Sequence, residues 1–237
     1  MKRILLMVFR NIILVPLMWC KLCYYASHAD KIPEEKRYKF LQYIVARANK
    51  GGNVTIEPHG QENIPKEGGF MLFPNHQGLY DVLAIVDVCP RPLSAVIKKE
   101  AAGVPFLKQC VAIMKAFSID REDIRQSMQV ISNVTKEVQS GRNYIIFAEG
   151  TRSKMGNKLL DFKGGSFKAA TKAKCPIVPV ALIDSFKPFD TSSIEPVTVQ
   201  VHFLKPMLYD EYKDMKTVEI AAEVKHRIEE TIEKYEK

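Results

Sequence analysis

The 237-residue chain lacks the features that would place it in several common classes. Its five cysteines, Cys20, Cys23, Cys89, Cys110 and Cys175, are odd in number and scattered, which argues against a disulfide framework and for reduced cytosolic thiols. Cys20 and Cys23 form a C-x-x-C, but inside an apolar segment with no second pair, so no metal site is expected. No low-complexity tract or internal repeat is present. No helix-turn-helix, zinc-finger or RNA-binding signature occurs, so nucleic acid is not the expected partner.

Long apolar runs are missing too. Residues 4–26 are largely apolar, yet Arg10, Asn11 and Lys21 interrupt them, and the longest clean stretch, Ile12 to Cys20, has nine residues and contains Pro16. A spanning helix needs about 20, and an arginine near its centre costs several kcal/mol. A signal peptide fits no better, because Arg10 breaks the apolar region and no small-x-small cleavage site follows cleanly. The sequons Asn53-Val54-Thr55 and Asn133-Val134-Thr135 carry no meaning in a cytosolic protein.

What is present is positive charge. The net charge is +8, with a pI near 9.1, and 46% of residues are hydrophobic, as in an ordinary globular protein. Such a balance calls for an acidic partner, either an anionic membrane surface or a phosphorylated substrate. Lys2, Arg3, Arg10 and Lys21 all precede the first acidic residue, Asp30. This start is suited to a helix lying in the interface of an anionic leaflet. A second helix opens at Ile32-Pro33-Glu34-Glu35, carries an apolar stripe of Leu41, Ile44, Val45 and Ala48, and is expected to stop at Gly51-Gly52. Residues 1–50 therefore read as a two-helix element that dips into one leaflet, and 51–237 as the main domain, membrane-associated on the cytoplasmic face.

The rest alternates. Strands are expected over 53–57, 70–73, 93–97, 116–119, 143–148, 176–183 and 197–203. Helices are expected around 82–86, 104–114, 123–140, 164–174 and 217–234, with Gly141 as a stop. This pattern predicts an α/β fold, a layered and mostly parallel sheet flanked by helices.

Two strand ends carry charged turns. The first is Phe73-Pro74-Asn75-His76-Gln77-Gly78-Leu79-Tyr80-Asp81. A histidine and a carboxylate at a strand-to-helix junction stand where loops carry chemistry. On a regular helix, positions five apart are rotated by about 140°, so His76 and Asp81 meet only if His76 sits in the turn before the helix. There Asp81 would fix the imidazole tautomer and leave the other nitrogen as a base. The second turn is Phe147-Ala148-Glu149-Gly150-Thr151-Arg152-Ser153. Arg152 offers a planar fork for a phosphate, and Gly150 allows close backbone approach. Glu149 has two open roles, orienting Arg152 or binding an acceptor hydroxyl.

The pattern N-H-x-x-x-x-D followed by Glu-Gly-Thr-Arg resembles the glycerolipid acyltransferase family, which includes the 1-acylglycerol-3-phosphate acyltransferases. The resemblance covers roughly residues 54–205. Phe117-Ser118-Ile119-Asp120-Arg121 resembles that family's second motif, assigned to acceptor binding, and Pro176-Ile177-Val178-Pro179-Val180 its fourth, expected to help line the acyl site. Many members have proline where this chain has Ala148, a change expected to loosen the turn. The resemblance implies transfer of a fatty acyl group from acyl carrier protein or coenzyme A to 1-acylglycerol 3-phosphate, giving phosphatidic acid. His76 is then the general base and Asp81 its orienting partner. Arg121, Glu149, Gly150, Thr151 and Arg152 are the expected acceptor-binding residues, with Lys98 and Lys163 as weaker candidates, and no metal or cofactor is called for. Alternatives are another acceptor such as glycerol 3-phosphate, a thioester hydrolase using Ser153 or Ser166, or a non-enzymatic module that binds anionic lipid. The hydrolase would want a G-x-S-x-G elbow, which Gly164-Gly165-Ser166-Phe167-Lys168 does not supply.

Overall fold

The computed structural model describes residues 2–103, 106–120 and 123–236. Three helices open it: α1 (Lys2–Arg10), α2 (Val15–Ser27) and α3 (Glu34–Gly52). The single helix expected before Asp30 is thus two, bent by 98° from each other. Pro16 has no N–H to continue a helical ladder and sits in the first turn of α2. Asn11 also leaves the helical path, its Nδ2 donating to the Arg47 carbonyl of α3 at 3.1 Å. Among the described residues no single helix is long and apolar enough to cross a membrane.

The glycine pair does not stop α3 as expected. The helix runs through Gly52, and Asn53 ends it at a left-handed φ of 54°. The glycines serve close packing instead. A Cβ on Gly52 would lie 2.4 Å from the Met7 side chain, and one on Gly51 2.6 Å from Asn11 Nδ2. With α1 this close, Arg3 Nη1 donates to the Gly52 carbonyl at 2.6 Å and Arg10 Nη1 to the Gly51 carbonyl at 3.3 Å. Both cations sit at the negative end of the α3 dipole.

The body follows in the order β1 (Val54–His59), β2 (Met71–Pro74), α4 (Asp81–Val88), β3 (Ser94–Lys98), α5 (Leu107–Met114), β4 (Phe117–Ile119), α6 (Ile124–Gln139) and β5 (Tyr144–Ile145). It continues with α7 (Lys168–Ala173), β6 (Ile177–Ile183), α8 (Lys187–Asp190), β7 (Val197–Phe203), α9 (Tyr209–Tyr212) and α10 (Thr217–Tyr235). The seven strands form one sheet in the order β1-β7-β6-β2-β5-β3-β4. Every neighbouring pair is parallel except β6 with β7. The expected α/β class is the observed one.

The central strand β6 is buried along its whole length, and its side chains alternate between two cores. Val178, Val180 and Leu182 pack with the side that holds Met7, Leu22, Tyr38, Leu41 and Ile85, so α1, α2, α3 and α4 share one cluster with the sheet. Ile177, Ala181 and Ile183 face Val134, Phe167, Val224 and Ile228 of α6, α10 and the turn before α7. β5 is shorter than expected. After Ile145 the chain keeps one ladder bond, Ile146 N–H to the Leu72 carbonyl at 3.0 Å, then turns so that Gly150 N–H reaches the Phe147 carbonyl. β2, β5 and β6 thereby end side by side, and their carboxyl ends carry the polar turns.

Candidate active site

The first turn wraps around a carboxylate. Asp81 opens α4 and is fully buried. Its Oδ2 accepts the N–H of Gln77 at 2.7 Å and of Gly78 at 3.0 Å, which folds residues 76–80 back over the helix start. His76 is brought within reach by that fold, with Nδ1 2.7 Å from Asp81 Oδ2. A carboxylate that accepts this many donors leaves Nδ1 as the protonated nitrogen and Nε2 with its lone pair. The His76 side chain is 22% exposed. Its ring stacks on Phe147 of the second turn, centroids 4.1 Å apart. Among the described residues Nε2 has no hydrogen-bond partner. Asn75 binds the Leu182 backbone twice, donating from Nδ2 at 3.0 Å and accepting at Oδ1 at 2.7 Å, and so pins the turn to β6.

The second turn grips the same histidine by its backbone. Glu149 Oε1 accepts the His76 N–H at 2.6 Å, and Ser153 N–H donates to the His76 carbonyl at 2.8 Å. Glu149 Oε2 accepts the Leu160 N–H at 2.8 Å. Both oxygens of this buried carboxylate are therefore engaged with main chain rather than with Arg152. Burial raises the Glu149 pKa above the usual carboxylate value, and the two N–H donors oppose that rise. Ala148 is buried before Glu149. Its carbonyl accepts the Lys163 N–H at 2.9 Å, a tie that holds the turn without a proline ring.

Gly150 adopts a φ of +75°, open to glycine at little cost, and a Cβ there would come 3.0 Å from Lys163 Nζ. That nitrogen and Arg152 lie on the same turn system, with Thr151 exposed between Gly150 and Arg152. Arg152 Nη1 is 3.4 Å from Asp190 Oδ1 on α8, while Asp190 Oδ2 accepts the Leu79 N–H at 3.3 Å. Lys98, at the end of β3, is exposed and pairs with Glu100 at 3.1 Å, with no recorded contact to the His76 cluster. Arg121 lies outside the described residues.

Sequence reasoning missed the polar side chains behind the turn. Gln77 Nε2 donates to Leu182 O at 2.9 Å and Asn157 Oδ1 at 2.7 Å, and Ser185 reaches Asp81 with its hydroxyl. Their one signal is position, since Ser185 stands just beyond the carboxyl end of a buried strand. Two open clefts, of about 540 Å³ beside Arg37, Lys115 and Arg142 and about 420 Å³ beside His59 and His202, are lined by none of His76, Asp81, Glu149 and Arg152. No metal-competent cluster of three or more His, Cys, Asp or Glu occurs among the described residues.

Comparison with known proteins agrees with this geometry. The family model named Acyltransferase matches residues 55–183, a region that holds both turns. The 1-acyl-sn-glycerol-3-phosphate acyltransferase of Salmonella typhimurium is 30% identical over 171 residues, covering 72% of this chain and 69% of that one. The Helicobacter pylori protein of the same name is 32% identical over 138 residues, 56% of this chain, and the match spans 58% of that relative's length. The crystal structure of the 1-acyl-sn-glycerophosphate acyltransferase PlsC from Thermotoga maritima shares the fold, with a TM-score of 0.78 at 19% identity over 99% of this chain and 97% of that one. With the match spanning the histidine turn, the glutamate turn and the strands that carry them, the chain belongs to the acyltransferase family.

Proposed function

We propose that this acyltransferase moves a fatty acyl group from acyl carrier protein or coenzyme A to the free hydroxyl of 1-acylglycerol 3-phosphate, making phosphatidic acid at the cytoplasmic face of a membrane. The observation that carries this reading is the 2.7 Å contact of His76 Nδ1 with buried Asp81, which turns Nε2 into a base at an open strand end. An alcohol is a poor nucleophile at neutral pH, so Nε2 removes the hydroxyl proton as the oxygen attacks the thioester carbon. The tetrahedral intermediate then collapses, the carbon–sulfur bond breaks, and the thiolate takes the proton back from His76. Asp81 stabilises the transient imidazolium.

Arg152 is assigned to the acceptor phosphate, with the Gly150 and Thr151 backbone and Lys163 beside it. Arg121, from its motif, and Lys98 are assigned to acceptor binding as well. Glu149 acts on the acceptor indirectly, by holding His76, rather than by touching substrate. Direct attack is favoured over an acyl-enzyme. Among the described residues no hydroxyl or thiol hydrogen-bonds to the His76 ring, and burial pushes the Cys89 thiol up to about 12. The same point disfavours the hydrolase built on Ser153 or Ser166. Residues 1–50 are assigned to membrane association, because Leu5, Phe9, Ile12, Ile13 and Leu17 are exposed around the α1–α2 bend. Residues 51–237 are assigned to catalysis.

The test is an activity panel of detergent-solubilised protein, crossing acyl-CoA and acyl-ACP donors with lysophosphatidate and glycerol 3-phosphate. Turnover with lysophosphatidate is expected. A companion rapid quench with labelled donor and no acceptor should leave the denatured protein unlabelled. A stoichiometric burst of label would overturn direct attack, and turnover only with glycerol 3-phosphate would overturn the acceptor.

A further inference from the structure

One buried hydroxyl touches the dyad from outside both turns. Ser185 follows β6 by two residues, is fully buried, and has Oγ on Asp81 Oδ1. The backbone before it is built to aim it. Asp184 takes a φ of +63°, uncommon for a residue with a Cβ. Asn157 holds Asp184 in that conformation, accepting its N–H at 2.8 Å and donating to its carboxylate at 3.2 Å.

Gln77 decides where the Ser185 proton goes. Both Gln77 amide protons are committed, to Leu182 O and Asn157 Oδ1. Its Oε1 accepts the Ser185 N–H at 2.9 Å. Ser185 Oγ is 3.0 Å from that same oxygen and nearer to Asp81 Oδ1. A hydroxyl has one proton to give, and an ionised carboxylate is the stronger acceptor.

We propose that Ser185 is a positioning residue for acyl transfer: its hydroxyl donates to Asp81 Oδ1, so that Oδ2 is the oxygen held against His76 Nδ1. This rests on His76 being the base. The same carboxylate thus meets the Ser185 hydroxyl through one oxygen and the His76 ring through the other. Other charged groups around the two turns are Glu149 at the His76 backbone, Arg152 on the second turn, Lys163 beside Gly150, Asp190 at Leu79, and the ion pair of Lys187 with Asp184. The variant below leaves all of them in place.

Ser185→Ala is compared with wild type in the full chain, in detergent, with an acyl-CoA donor and lysophosphatidate from acid to alkaline pH. Expected is a fall in kcat of roughly 10–10²-fold with acceptor KM changed less than about twofold. The acid limb of kcat/KM should move relative to wild type, a change that a merely structural substitution would not produce. In an Asp81→Asn background the substitution should cost little more, because the two act as one unit. Unchanged kcat and acid limb in a folded variant would overturn the proposal. So would a fall in kcat that tracks lost thermal stability with no movement of the limb. If Ser185→Ala does not fold, Ser185→Cys, close in shape but a weak donor, is judged by the same criteria, and its failure to fold would make the role structural and overturn the proposal. His76→Ala is run alongside. An active His76→Ala removes the base assignment itself, whereas a dead one beside an unaffected Ser185→Ala removes only the role of Ser185.

Discussion

Two regions of this protein reverse the usual rule of burial, in opposite senses. At the carboxyl end of the sheet Asn75, Gln77, Asp81, Glu149 and Ser185 are buried polar groups. At the bend between α1 and α2, Phe9 is 72% and Ile13 84% exposed. The inner reversal is closed: each of those polar side chains has its partners within the fold, which is the condition for keeping it out of water. The outer reversal is open. Its inner faces pack on α3 through Arg3, Met7 and Asn11, yet among the described residues nothing covers the outward side chains of Phe9 and Ile13. A closed reversal needs only the protein to explain it, while an open one needs a second phase. The first is suited to fixing a base, the second to meeting a lipid surface.

The sharpest way to break the inner region is His76→Ala, or Asp81→Asn with the imidazole kept. Loss of a positioned base is expected to lower kcat on the order of 10²–10⁴-fold. Asp81→Asn should approach this, because an amide can present N–H where Nδ1–H needs an acceptor. His76 is partly exposed, so His76→Ala should leave the thermal midpoint close to wild type, and circular dichroism melting checks this. An active His76→Ala would mean the closed network is structural alone.

The outer region is broken by Phe9→Asp with Ile13→Asp. Each side chain is worth about 1.5–3 kcal/mol when fully taken out of water. Partial immersion at an interface recovers about half, so vesicle partitioning should fall roughly 10²-fold for the pair. Sedimentation with phosphatidylglycerol vesicles measures it. The thermal midpoint should not fall, since neither side chain packs in the core. Undiminished sedimentation would move the membrane contact elsewhere on the chain.

The two regions also differed in how far the sequence exposed them. The spacing from His76 to Asp81 gave the turn, because five positions forbid a regular helix and permit a wrapped one. The Glu149 turn was visible, but its role was not. A carboxylate can face substrate or main chain with the same neighbours in sequence, and only the fold shows it on His76 N–H and Leu160 N–H. Ser185 was illegible because its importance comes from the Asp184 backbone and from Gln77, over 100 residues away in the chain. At the other region, composition announced an interrupted apolar start, yet the bend at residues 11–14 depends on the Asn11 contact to α3, which no local pattern encodes. The glycine pair of α3 reads as a stop in sequence because glycine commonly ends helices. Here it makes room for a neighbour.

A third buried polar residue tests whether closure by itself marks function. His202 on β7 is 4% exposed, stacks on His59 with centroids 4.3 Å apart, and lies 2.9 Å from Gln200 Oε1 through Nε2. It lines the cleft beside His59, which none of His76, Asp81, Glu149 and Arg152 lines. Burial, with His59 beside it, lowers its pKa from 6.5 to about 4. The folded state therefore binds this proton more weakly than the unfolded chain does. The stability it contributes is present above pH 6.5 and is lost as the pH falls toward 4. Between pH 7.5 and 5 the loss should be about 1–2 kcal/mol, allowing for partial solvation of the ring. His202→Phe keeps a ring in the stack and removes the titration. Urea unfolding at the two pH values should then show a shallower acid loss than wild type, while kcat toward lysophosphatidate stays unchanged. A wild-type slope in the variant would place the acid sensitivity in other groups. A fall in kcat without a fall in stability would instead tie this histidine to the reaction, and closure would then signal function outside the two turns as well.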